Sequence, residues 1–154
     1  MRDFSDTDRK KKSGRIRLPD NPGNLSEEML SQLETAVKAA LKDGYVPCPS
    51  AWKIAGDAGV SRIDVGAMID KLGIRVTDCM LGCFKVSKTG YTGSVTEPFS
   101  EEVDRRVEAL GEKGELTCAS AFALASELNV KPISLADAAN VRGYKIRQCQ
   151  LGCF

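Results

Sequence analysis

Met29, Leu33, Val37 and Leu41 recur every fourth residue, which sets them on one stripe of a helix. Asn24, with Glu27 three residues on, is a candidate start for that helix, with Ser26 as a rival cap, and Gly44 is a candidate stop. Tyr45 to Cys48 can then run extended. A second helix follows with Pro49 at its first position and Ala51, Ile54, Ala55 and Ala58 on its inner side. It breaks at Gly59-Val60-Ser61, where the Ser61 to Asp64 spacing opens a third helix that Gly73 stops. Ile74-Arg75-Val76 reads as a strand.

The same order then returns. Phe99, Val103, Val107 and Leu110 form a stripe, with Ser94 or Thr96 as cap and Pro98 in the first turn. Gly114, the inner positions Ala121, Leu124, Ala125 and Leu128, the break Asn129-Val130-Lys131, Pro132, Gly143 and the strand Tyr144-Lys145-Ile146 repeat the first set. The offset is 70 residues throughout, without a gap, and sixteen of the sixty aligned positions in 25–84 and 95–154 are identical. Cys48, Cys79 and Cys83 return as Cys118, Cys149 and Cys153, and Leu81 to Phe84 return whole as Leu151 to Phe154. The chain therefore divides into a basic arm expected to be disordered, 1–24, a first repeat, 25–84, a Gly- and Thr-bearing linker, 85–94, and a second repeat, 95–154. Units of this size are near the lower limit for standing alone, so each is expected to lean on its partner or on a cysteine-based staple.

Alanine, then glycine or asparagine four residues later, valine next and an apolar residue beyond the turn describe Ala55, Gly59, Val60 and Val65, and again Ala125, Asn129, Val130 and Leu135. This pattern resembles the helix-turn-helix, and the flanking helix and strand make each unit similar to a winged-helix domain. The resemblance implies a mainly α fold with short β-strands, built as two tandem winged-helix-like repeats. It also implies that the third helix lies in a DNA groove, where Arg62 of the first repeat and Lys131, Ser134, Asn140 and Arg142 of the second would meet duplex DNA. Arg62 and Lys71 are balanced by Asp64 and Asp70, and the second repeat ends at Phe154 with no return strand for a wing.

The net charge is +1, so no strong global field selects a partner. The basic excess is local: Arg9, Lys10, Lys11 and Lys12 lie in the polar arm and are candidate phosphate contacts. No apolar run approaches a bilayer span, which points to a cytoplasmic protein with no membrane partner. The chain has no histidine, which excludes Ser-His-Asp and Cys-His catalysis and every mixed Cys/His zinc site. With no phosphate loop and no paired acid and base, an enzyme is not expected.

The six cysteines carry the remaining chemistry. Cys48 and Cys118 fall at the start of the second helix of each repeat, where the positive helix end favours thiolate. The other four form two Cys-x-x-x-Cys pairs. Three readings stand open: a soft-metal site, either zinc or an iron–sulfur cluster with one open iron; a redox switch; or small buried side chains filling a strand–helix junction. All six are therefore candidate metal or redox residues. The functional expectation is a nucleic-acid-binding regulator modulated by its thiols; the alternative is a cysteine module without DNA binding that holds a metal centre or docks to a redox or regulatory protein. Trp52 and Phe122 share one helical position and read as core or interface aromatics.

Overall fold

The computed structural model describes residues 18–83 and 101–154. Arg9 to Lys12, the linker 85–94, Phe99 and the cap candidates Ser94 and Thr96 with Pro98 lie outside them. The described chain is mainly helical with one two-stranded sheet. The first repeat holds α1 (Glu27–Ala39), β1 (Tyr45–Pro47), α2 (Cys48–Ala58), α3 (Arg62–Lys71) and β2 (Arg75–Thr77). The second holds α4 (Glu101–Glu112), α5 (Cys118–Glu127) and α6 (Pro132–Val141). None of these helices is long and apolar enough to cross a membrane.

The turn residues act as their chemistry dictates. Gly59 (φ +66°) and Asn129 (φ +52°) take the left-handed conformation between the second and third helix of each repeat, at equivalent positions. Ser61 and Asp64 form a reciprocal capping box at the start of α3, and Pro132 opens α6. At the first helix Ser26 is the cap, accepting from the Met29 N–H at 3.2 Å, while Asn24 takes φ +49° in the turn before it. Cys48 itself opens α2, so Pro49 is second in that helix. Helix α1 ends at Ala39, which strands Leu41 beyond the buried stripe at 37 % exposure; Leu33 and Val37 are the fully buried pair.

In the first repeat β1 and β2 pair in parallel, Val46 opposite Val76. The strand expected over 144–146 shrinks to a single bridge, Thr117 to Arg147. Thr117 caps α5, its N–H donating to Ser120 Oγ at 2.8 Å, and the bridge is closed by its neighbours, Arg147 N–H to Leu116 O at 3.0 Å and Cys118 N–H to Arg147 O at 2.9 Å. The packed part of the chain also begins earlier than the arm boundary at 24 implies. Leu18 lies against Gly152, Gly23 lies against the Asp64 carboxylate, and Asn21 brackets the turn by bonding the backbone N–H and C=O of Leu25.

Each repeat has its own apolar cluster, but the two are not self-contained. Leu81, from the end of the first repeat, is buried in the cluster built on Val103, Val107, Leu124 and Leu135. Leu151, from the end of the second, is buried among Leu33, Val37, Val65 and Met68. The two C-terminal motifs are exchanged. Gly82 faces Ile133 while Gly152 faces the equivalent Ile63, and Trp52 meets its own counterpart Phe122 at 4.4 Å between ring centroids. Residue i touching j while the copy of j touches the copy of i is the signature of a two-fold axis, here within one chain.

Candidate thiol centre

The exchange brings the thiols of both repeats together. Each Cys-x-Leu-Gly-Cys segment is a tight turn: the Gly82 N–H donates to Cys79 O at 2.8 Å and the Gly152 N–H to Cys149 O at 2.9 Å. Both turns use positive φ at the glycine (Gly82 +71°, Gly152 +73°) and at the residue before the first cysteine (Asp78 +52°, Gln148 +53°). The turn folds the two sulfurs of each pair into hydrogen-bond contact, Cys79 with Cys83 and Cys149 with Cys153. Cys48 and Cys118 look onto the same region from the starts of α2 and α5, each sulfur accepting from a backbone N–H of the turn, Met80 for Cys48 and Gln150 for Cys118. Charge on Cys79 or Cys149 is felt by both Cys48 and Cys118, so the thiols of the two repeats form one electrostatically coupled group.

The group is uneven. Cys48, Cys79 and Cys118 are buried, Cys149 and Cys153 half-buried, and Cys83 exposed. The helix-end argument for easy ionisation fails at Cys48 and Cys118. Burial outweighs the helix end and pushes the Cys48 thiol up to about 12, and it raises Cys118 as well. The low thiol lies elsewhere. Hydrogen bonds from the Cys153 thiol and from the backbone N–H groups of Cys153 and Leu151 hold Cys149 down to about 6, against the burial that opposes them. In the first repeat, the hydrogen bond with Cys79 and then burial push Cys83 up. Among the described residues no group of three or more cysteine, aspartate or glutamate side chains is set to hold a metal ion, and no disulfide joins the six cysteines.

The groove-reading candidates are placed differently in the two repeats. Helix α3 is buried continuously from Asp64 to Ile69. Gly66 packs so closely on the Leu151 carbonyl that a β-carbon would overlap it. Arg62 lies over the Trp52 ring at 3.4 Å and donates to Gln150 Oε1 of the second repeat. In the second repeat Lys131 and Asn140 are exposed and Ser134 is half-buried, whereas Arg142 is paired with Asp104 at 2.8 Å.

Gln150 is the residue that the sequence reading passed over. Its Nε2 donates to Cys118 Sγ at 3.6 Å, within the longer range proper to sulfur. One signal was available: positions 80 and 150 lie inside the repeated cysteine motif, and there the two copies differ, Met80 against Gln150. No protein-family model, curated protein or solved structure matches the chain.

Proposed function

We propose that the chain is a thiol-based redox module in which two winged-helix-like repeats serve as the scaffold for one shared cysteine centre. The observation that carries this reading is the Cys149–Cys153 pair: two hydrogen-bonded, half-buried thiols, one held near 6 by donors that favour its thiolate. A thiolate at neutral pH beside a resolving thiol is the arrangement that exchanges with disulfides. Reaction with a disulfide RSSR balances as follows. The Cys149 thiolate attacks one sulfur and expels RS⁻. Cys153 then attacks the Cys149 sulfur and expels the second RS⁻; the Cys153 proton converts one RS⁻ to RSH, and the other takes from water the proton that Cys149 had already released on ionising. The setting is a reducing, cytoplasmic one in which such a pair starts as dithiol, and the exchange is stoichiometric, without turnover.

The test is equilibration of the anaerobically purified chain in glutathione buffers of graded poise, followed by acid quenching and peptide mapping. A two-electron disulfide at Cys149–Cys153 is expected. Bound zinc or iron, or a visible charge-transfer band, would transfer these cysteines to the metal reading. Thiols that never oxidise would leave them as packing.

A second reading, nucleic-acid binding, draws on the exposed Lys131 and Asn140 of α6 together with the nearby exposed Lys145 and Arg147. With α3 buried, it rests on the second repeat and on Arg9 to Lys12. Titration with duplex DNA at low salt tests it: Lys131→Ala with Asn140→Ala should weaken binding, and removal of the four basic arm residues should lower the salt slope.

A further inference from the structure

A polar chain runs from the first repeat into the thiol centre of the second. The Arg62 guanidinium, flat on Trp52, donates to Gln150 Oε1, and Gln150 Nε2 donates to Cys118 Sγ at 3.6 Å. The backbone N–H of Gln150 gives the same sulfur a second donor. The equivalent positions on the other side of the two-fold axis are Pro132 for Arg62 and Met80 for Gln150, neither of which has a side-chain donor to offer Cys48. Two cysteines that are related by the repeat and buried alike thus differ in one respect, a side-chain donor with a cation behind it.

We propose that Arg62 and Gln150 are positioning residues that make Cys118, and not Cys48, the third working thiol of the centre, able to take over the sulfur bond formed at Cys149 and Cys153. This rests on the redox reading of that pair. In the step, the Cys118 sulfur attacks the Cys149 sulfur of the Cys149–Cys153 disulfide, forming Cys118–Cys149 and expelling Cys153 as thiolate. The proton that Cys118 gives up goes to Cys153, so no external oxidant or reductant is consumed. The disulfide moves from two half-buried residues to one that includes a buried sulfur, and Cys153 returns to the thiol form.

Negative charge developing on Cys118 opposes any charge on Cys149, Cys79, Cys83 and Cys48, all of which act on it or feel it. The Gln150 amide, polarised by Arg62, is the group that offsets this. Burial of the sulfur remains the largest influence and works against ionisation. The donors therefore act by making the attack feasible, without leaving Cys118 charged at rest.

The test uses the full chain and two readouts. After equilibration with oxidised glutathione and acid quenching, peptide mapping should find both Cys149–Cys153 and Cys118–Cys149, with no disulfide at Cys48. Gln150→Glu keeps the side-chain shape and the Arg62 partner but replaces the donor with a carboxylate. It should lower the Cys118–Cys149 share about tenfold, the effect of losing one charge-assisted hydrogen bond, while Cys149–Cys153 persists. Arg62→Lys, which retains charge, should lower it less than Arg62→Met. On the reduced protein, the pH midpoint for alkylation of Cys118 by a small reagent should rise by about one unit in Gln150→Glu, the same tenfold factor. An unchanged midpoint overturns the positioning role, whether or not any disulfide forms. A Cys118–Cys149 share that Gln150→Glu leaves intact, or a wild-type chain that forms Cys149–Cys153 but never Cys118–Cys149, overturns the exchange. Absence of Cys149–Cys153 itself would instead remove the redox reading beneath it. Trp52 fluorescence checks that each variant is folded.

Discussion

Cys149 and Cys48 pull the stability of the reduced protein in opposite directions along the pH axis. Cys149 is held near 6, below the ordinary thiol value of about 8.5. Its contribution is therefore present above that ordinary value and is lost as pH falls through 6. Cys48 is held up at about 12, so its contribution is complete below the ordinary value and is lost as pH rises toward 12. Chemical denaturation of the reduced chain between pH 5 and 11 should show both limbs. Cys149→Ser should flatten the acid limb, and Cys48→Ala the alkaline one. If each substitution lowers stability by the same amount at every pH, the two shifts are not native-state properties. The pairing of the thiols was legible from the Cys-x-x-x-Cys spacing, since a glycine between them lets the chain turn back. Which thiol ionises was not legible, because that depends on N–H donors and burial that only the folded turn supplies.

At the scale of elements, α3 is the helix most changed by its surroundings. Its polar residues lie near its two ends and an unbroken run from Val65 to Ile69 fills its middle, so no single stripe stands out, and in the fold that middle is covered from several directions, by its own repeat and by the Leu151 turn. Gly66 is the point of closest approach, where helix backbone meets the Leu151 carbonyl. Gly66→Ala should cost about 1–3 kcal/mol, the usual range for overpacking, measured by urea denaturation. The equivalent Ala136 is tolerated on α6, so Ala136→Gly is the matched control and should cost only about 1 kcal/mol through helix propensity. A second tight place is Gly23, whose β-carbon would press on the buried Asp64 carboxylate. Gly23→Ala should lower the melting temperature through the α3 cap, and a melt identical to wild type would show that the 18–24 segment gives way without cost.

At the scale of the molecule, the exchange of C-terminal motifs makes each repeat complete the other. Truncating Leu81 should therefore loosen the second repeat and truncating Leu151 the first, opposite to their positions in the chain. Buried leucine to alanine costs about 2–5 kcal/mol. Hydrogen exchange resolved by peptide should show the loss of protection in α4–α6 for Leu81→Ala and in α1–α3 for Leu151→Ala. Protection lost in the same repeat as the substitution would contradict the exchange. The arrangement also accounts for how units of about sixty residues, small for independent stability, sustain two cores.

Much of this protein follows from its sequence alone: the repeat, the buried stripe positions Leu33, Val37, Val103 and Val107, the Gly59 and Asn129 turns, the Ser61 and Asp64 cap and the 70-residue recurrence of the cysteines. These are legible because each is a local matter of side-chain period, backbone sterics or capping chemistry. Tertiary structure decided where the Leu81 and Leu151 motifs dock, that Arg62 turns onto Trp52 and Gln150, that helix-start thiols are raised, and that Cys149 is lowered. Those outcomes depend on which surfaces meet across the two-fold axis, and a repeated sequence is equally compatible with motifs that pack at home and motifs that cross. The mismatch of Met80 and Gln150 is visible in the chain, yet its meaning appears only where the Gln150 amide lies between Arg62 of one repeat and Cys118 of the other.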